Sequence, residues 1–151
     1  MSLYPTMEAH REGYAENIYL DPQTRTYIEE AGGANVLFVD KDNQLIVPKS
    51  PSILPSVTRR SLVYVAEHYL GLKVIERPVA LAEVKDFKEC ALCGTAAVMA
   101  PVGEIHTADG VIRFPSGMEK MGEVTAKLRS TLTGIQDGEI EAPEGWIDVI
   151  V

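Results

Sequence analysis

Three stretches of this sequence carry residue types and spacings suited to holding an anion or a charged ring, and a fourth carries a pair of thiols. Ser56-Val57-Thr58-Arg59-Arg60 stands at the predicted start of a helix. Backbone N–H groups there lack intrahelical partners and lie at the positive end of the helix dipole, which makes a ready phosphate site. Thr58 adds a hydroxyl, and Arg59 and Arg60 add positive charge. The plainer reading is a helix capped by Ser56 with its arginines in water. Gly94-Thr95-Ala96 follows an apolar run. Small residues at a strand end let a ligand reach backbone N–H groups, and Thr95 offers one more donor. The plainer reading there is a bulge or tight bend. Glu29-Glu30 leads into Ala31-Gly32-Gly33-Ala34-Asn35. A carboxylate at a strand end beside a flexible turn can face a cationic ring nitrogen, although adjacent glutamates are more often simply solvated. The spacing Cys90-x-x-Cys93 falls inside a predicted strand, where positions three apart point to opposite faces. His10, His68 and His106 are scattered, so the thiols read as buried core groups and not as a metal or redox motif.

The elements that must position these residues follow from periodicity and turn chemistry. A helix is expected over 4–14, with Ser2 as cap, Pro5 in the first turn and Gly13 closing it. Strands over 17–20 and 26–29 flank the turn residues Asp21-Pro22-Gln23-Thr24, and strands over 35–39 and 44–47 flank Asp40-Lys41-Asp42-Asn43. Residues 49–55, with two prolines and two serines, read as an ordered loop. Leu62, Val65, Ala66, Tyr69 and Leu70 recur at helical spacing, which predicts a helix over 57–70 stopped by Gly71. A strand over 72–77, a helical turn over 79–84, an apolar run over 90–99 interrupted at Gly94-Thr95, and a hairpin of 104–106 with 110–113 come next. A second amphipathic helix over 119–132 and a closing strand over 146–151 complete the chain.

The 151 residues, 46% hydrophobic and 24% charged, suit one core-bearing domain of mixed α/β (α+β) class spanning 1–151. The net charge of −8 speaks against nucleic acid, whose phosphates require clustered Lys and Arg. No window approaches the roughly eighteen uncharged apolar residues of a membrane span. Glu8, His10, Arg11, Glu12 and Glu16 near the start are unlike a secretory signal. Two cysteines cannot build a disulfide framework. The expectation is a reduced, cytoplasmic, acidic domain without membrane or nucleic-acid partners.

In order and spacing, four segments resemble the C-terminal half of the branched-chain aminotransferases, within the fold-type IV pyridoxal-phosphate enzymes. They are Tyr27-Ile28-Glu29-Glu30-Ala31-Gly32-Gly33-Ala34-Asn35, Ile53-Leu54-Pro55-Ser56-Val57-Thr58-Arg59-Arg60, Cys93-Gly94-Thr95-Ala96-Ala97 with Ala100-Pro101-Val102, and the run from Thr131 through Ile135-Gln136-Asp137-Gly138 to Trp146. The resemblance covers nearly the whole chain and implies the family's large domain, a mixed sheet or pseudo-barrel with flanking helices. It departs from the family pattern at Leu37, where an aromatic is usual, at Val47, where threonine is usual, and at Ser56, where glycine is usual. The redox cysteines of mammalian members correspond to Ala97 and Ala100, so that switch is not expected.

The resemblance implies pyridoxal 5'-phosphate as cofactor, with Glu30 on its ring nitrogen, Val57 and Thr58 on its phosphate, and Thr95 on the phosphate as well. The Thr95-Ala96 backbone would receive a substrate carboxylate. It further implies amino-acid and 2-oxo-acid substrates, transamination of leucine, isoleucine or valine with 2-oxoglutarate, and a homodimer. Ser2-Leu3-Tyr4-Pro5 resembles the stretch just after the family's Schiff-base lysine, and none of lysines 41, 49, 73, 85, 88, 120 and 127 matches that position. The catalytic lysine and the small N-terminal domain are therefore expected to be absent from these residues, and the chain alone to be inactive. The fold also serves D-amino-acid aminotransferases and an aminodeoxychorismate lyase. The alternative from another class is a non-catalytic domain that forms oligomers or binds phosphate compounds.

Overall fold

The computed structural model describes residues 7–8, 10–116 and 120–150. Its centre is a five-stranded mixed sheet built from β3 (Asn35–Val39), β4 (Leu45–Pro48), β5 (Val74–Arg77), β6 (Glu89–Gly94) and β7 (Val98–Pro101), in the order β5-β4-β3-β6-β7. Strands β1 (Ile18–Leu20) and β2 (Ile28–Ala31) form one antiparallel hairpin, and β8 (Glu104–Thr107) and β9 (Gly110–Arg113) another. Helices α1 (Val57–His68) and α2 (Glu123–Gln136) cover one face of the sheet, and α1 is the crossover between the parallel neighbours β4 and β5.

The central strands are uninterrupted hydrophobic runs because both faces are covered, and all five residues of β3 are buried. Leu37, Val39, Leu45, Val47, Ala91 and Cys93 face the helices, where they meet Leu62, Val65 and Leu128. Val36, Phe38, Ile46 and Cys90 face the other way, onto Ile28, Val79, Val84, Phe87 and Phe114. Each fully buried Leu, Ile, Val or Phe contributes roughly 1.5–3 kcal/mol, so these two layers supply most of the stabilisation. The odd spacing of Cys90 and Cys93 places the thiols on opposite faces, as the strand pattern requires.

Several expected elements shift, each for a local reason. The strand expected over 26–29 begins at Ile28, because the Thr26 and Tyr27 N–H groups donate to the Asp21 carboxylate, both at 2.8 Å. The apolar run over 90–99 is two strands, since the chain reverses after Gly94 and β7 pairs back onto β6. The helical turn expected over 79–84 is a 3₁₀ segment, Leu81–Asp86, while Ala80 bridges to Tyr27. Helix α1 ends at His68: Gly71 adopts φ +64°, and the Leu72 N–H reaches back to the Ala66 carbonyl at 2.8 Å, the C-terminal motif in which a glycine turns the chain left-handed.

Helix α2 starts at Glu123, later than the expected 119, and runs four residues past 132. Its start is set from 34 residues away, by the buried Glu89 carboxylate, which accepts from the Val124 and Thr125 N–H groups at 3.1 and 3.0 Å. No strand forms over 146–150. The chain is held just before it, with the Tyr69 hydroxyl donating to the Glu141 carbonyl at 2.6 Å and Trp146 tilted against Tyr64 at 5.2 Å, while Val149 and Ile150 stand exposed. The expected cap Ser2, with Tyr4 and Pro5, lies outside the described residues, as do Glu119 and Val151. Residues 7–8 and 10–11 of the first expected helix are helical, and Gly13 follows at φ +92°.

Candidate functional site

One end of the central sheet gathers the start of β3, the end of β4, the end of β6 and the start of β7. The turn 32–34, the loop 49–55, the first turn of α1 and the turn 95–97 all leave from this end. The three stretches suited to an anion or a charged ring, around Glu30, Thr58 and Thr95, are therefore brought to one rim by strand pairing and not by proximity in sequence.

Contacts within the rim tie them further. Gly94 lies beside the 32–34 turn: a Cβ there would sit 3.7 Å from the Gly33 carbonyl and 3.9 Å from the Ala34 methyl. The Leu54 N–H, in the loop entering α1, donates to Glu30 Oε2 at 3.3 Å. The Arg59 guanidinium stands near enough to Cys93 to oppose the upward shift that burial imposes on that thiol, which still reaches about 12. The Cys90 thiol is pushed up by burial alone, so neither cysteine offers a thiolate nucleophile at neutral pH.

Glu29 and Glu30 are separated by the strand alternation. Glu29 accepts from the Ser50 hydroxyl at 3.3 Å, whereas Glu30 faces the loop that delivers α1. Glu30 is half-buried and its Oε1 has no hydrogen-bond partner among the described residues. That oxygen is free to accept from a protonated ring nitrogen. At the α1 terminus the Ser56 hydroxyl accepts from the Arg59 N–H at 3.2 Å, so Ser56 is indeed the cap. Capping Arg59 leaves the Val57 and Thr58 N–H groups, and they remain available together with the Thr58 hydroxyl. Val57, Thr95 and Ala96 are exposed and Thr58 is half-buried, which suits an open rim that another layer could cover.

Two features of this rim escaped sequence reasoning. Val98, just after the turn, holds φ +59°, a conformation that β-branched residues strongly disfavour, and the β6–β7 pairing enforces it. Asn35, opposite Cys93 in register, is 6% exposed, and its Oδ1 has no partner among the described residues. A polar residue opening an otherwise apolar strand was the only available signal. The donor set therefore fits a phosphorylated pyridine: N–H and hydroxyl donors for a dianion on one side, a carboxylate for a ring N–H on the other.

This rim is thus a candidate phosphate- and ring-binding end of a mixed α/β domain. The family described as amino-transferase class IV matches residues 2–105, and the chain belongs to that family. A branched-chain-amino-acid aminotransferase of Haemophilus influenzae is 48% identical over 151 residues, covering 97% of this chain and 44% of that protein. The solved branched-chain aminotransferase of Escherichia coli superposes with a TM-score of 0.79 at 34% identity, over 95% of this chain and 45% of the other. That of Thermobaculum terrenum, described as its PLP form, superposes with a TM-score of 0.78 at 32% identity, over 89% of this chain and 41% of the other. The fold is thus that of the fold-type IV aminotransferases, and the chain spans less than half the length of the relatives it matches. Among the described residues no helix is long and apolar enough to cross a membrane, and no group of His, Cys, Asp and Glu could hold a metal.

Proposed function

We propose that this chain is the C-terminal, cofactor-gripping half of a branched-chain-amino-acid aminotransferase. In the complete enzyme it would serve transfer of the amino group of leucine, isoleucine or valine to 2-oxoglutarate. The observation that carries the reading is Glu30: a half-buried carboxylate with one oxygen tied to the Leu54 N–H, the other open, at the same end of the sheet as the α1 terminus and the 95–97 turn. The relatives' names point to the same reaction.

When bound, pyridoxal 5'-phosphate supplies an electron sink for negative charge at the substrate Cα. Glu30 would hold a proton on the ring nitrogen. The Val57 and Thr58 N–H groups, with the Thr58 and Thr95 hydroxyls, would hold the phosphate dianion at the positive end of α1. The Thr95-Ala96 backbone would orient the substrate carboxylate. By family position no lysine of this chain carries the covalent attachment and proton transfer, so these 151 residues bind and orient, and alone they do not turn over. The lysine would come from a segment that stands just ahead of Ser2-Leu3-Tyr4-Pro5 in the family, and part of the substrate pocket from the family's small N-terminal domain. We infer a homodimer, because apolar Leu54 and Val57 stand 70% and 68% exposed at the rim, where a covering surface would bury them, and a cytoplasmic location from the two free cysteines.

Joining the N-terminal portion of the Haemophilus influenzae relative to this chain tests the reading. The chimera should convert 2-oxoglutarate to glutamate with leucine, isoleucine or valine as donor. Activity restricted to D-amino acids, or cleavage of aminodeoxychorismate, would reassign the chain within the family. A chimera that folds and binds cofactor yet transfers no amino group would refute a catalytic role.

A further inference from the structure

We propose that a groove lined by none of the candidate-site residues binds an organic dianion, a phosphate monoester or a dicarboxylate carrying a compact apolar body. The groove, of about 670 Å³, lies between the β1–β2 turn, the 3₁₀ segment and the β8–β9 hairpin. Three cations converge on it, Arg25, Lys85 and Arg113, against the single carboxylate of Asp109. On a chain of net charge −8 this lining is net positive, which focuses an anion there. Leu81 and Ile112 supply the apolar wall. The groove is shallow and open to solvent, so it would hold a small anion by charge and one apolar wall and not by enclosure.

The cations are available and one is held in place. Arg25 and Lys85 form no ion pair among the described residues. Arg113 reaches Glu104 only through Nε, at 3.6 Å, which leaves its terminal nitrogens for a ligand. Arg25 occupies the left-handed region at φ +54°, and its N–H donates to the Asp21 carbonyl at 2.8 Å. The Asp21 carboxylate gathers the surrounding turn, accepting from the Thr24 N–H and hydroxyl, both at 2.7 Å, and from the Thr26 and Tyr27 N–H groups. Those bonds hold its carboxyl well below the usual range, so the turn stays formed at any physiological pH. The loop that presents Arg25 is thus ordered before a ligand arrives, which lowers the entropy cost of binding.

The test is a titration of the ¹⁵N-labelled 151-residue chain with phenyl phosphate and, separately, phenylsuccinate at pH 7.5. Saturable shifts of the Thr26, Leu81 and Ile112 amides by either probe are expected, and the tighter probe identifies which dianion the groove prefers. Arg25→Asn with Lys85→Gln should weaken that binding about tenfold or more, the loss of at least one charge-assisted hydrogen bond. Asparagine tolerates the left-handed backbone, so this variant keeps the turn. The charge-matched pair Lys41→Gln with Lys73→Gln, at exposed positions, should leave it unchanged. Equal weakening in both variants, or static groove amides at tens of millimolar probe, would overturn the proposal. So would inorganic phosphate binding as tightly as phenyl phosphate, because the apolar wall would then contribute nothing. Shifts confined to Thr58 and Thr95 would overturn it too while supporting the cofactor site, which keeps the two readings separate.

Discussion

Glu89, at the first position of β6, caps helix α2 through Thr125: its Oε1 accepts from the Thr125 N–H at 3.0 Å and from the Thr125 hydroxyl at 2.9 Å. Both residues are buried, Glu89 at 4% exposure and Thr125 at 1%. Because β6 carries Gly94 at its other end, the bond couples the placement of α2 to the strand that delivers the candidate site.

Glu89→Gln should lower unfolding stability by about 1–3 kcal/mol, since a charged acceptor of three donors becomes a neutral amide with a misplaced N–H. Gly122→Ala should cost at least as much, because a Cβ there would overlap the Glu89 carboxylate, which is held by its bonds and cannot retreat. Urea unfolding of both variants checks this; two midpoints at the wild-type value would show that the cap contributes nothing.

Glu30→Gln and Glu29→Gln should differ in a chimera that carries the catalytic lysine. The first should reduce turnover more than cofactor binding, because it removes the charge that keeps a ring nitrogen protonated. The second loses only a 3.3 Å bond from the Ser50 hydroxyl, which the glutamine carbonyl can still accept, and should be near neutral. Equal kcat values for the two would remove Glu30 from the site.

Thr58→Val should weaken retention of pyridoxal 5'-phosphate by roughly tenfold to a hundredfold, the equivalent of ~1.5–3 kcal/mol for one charge-assisted bond to a dianion. Fluorescence titration of the 151-residue chain measures it directly. Borohydride treatment of the same complex should fix no cofactor to a lysine of the pocket, and stoichiometric labelling at one such lysine would contradict the assignment.

Both thiols should resist Ellman's reagent at pH 8 in the folded chain and react on unfolding. Burial raises each folded pKa above the unfolded value, so the neutral form stabilises the fold fully below about pH 9 and that contribution is lost as pH rises toward 12. Rapid native labelling of Cys93 would show that the α1–β6 packing opens.

The exposed apolar rim predicts self-association, with a dimer at tens of micromolar by light scattering. Leu54→Ser with Val57→Ser should shift it to monomer. A wild-type chain that is monomeric at that concentration removes the interface.

The elements that rest on local chemistry were legible from the sequence. The central hairpin of β3 and β4, the α1 helix with its Ser56 cap and Gly71 stop, and the β8–β9 hairpin all follow from periodicity and turn residues that act within a few positions. So did the opposite-facing thiols, because strand alternation is a local rule. The motif residues Glu30, Val57, Thr58, Thr95 and Ala96 were visible as types, but their convergence was not. Only the tertiary structure decided that Glu29 pairs with Ser50 near the start of the 49–55 loop and Glu30 with Leu54 near its end, beside the α1 terminus. It also decided the start of α2, because the cap is a carboxylate on another strand and nothing near Gly122 announces it. The tail over 146–150 has the composition of a strand, yet only Trp146 packs, against Tyr64 of α1, while Val149 and Ile150 stand exposed without a sheet edge to join. Long-range pairing settles such cases, because the free energy of a cap or an edge depends on partners that sequence separation conceals.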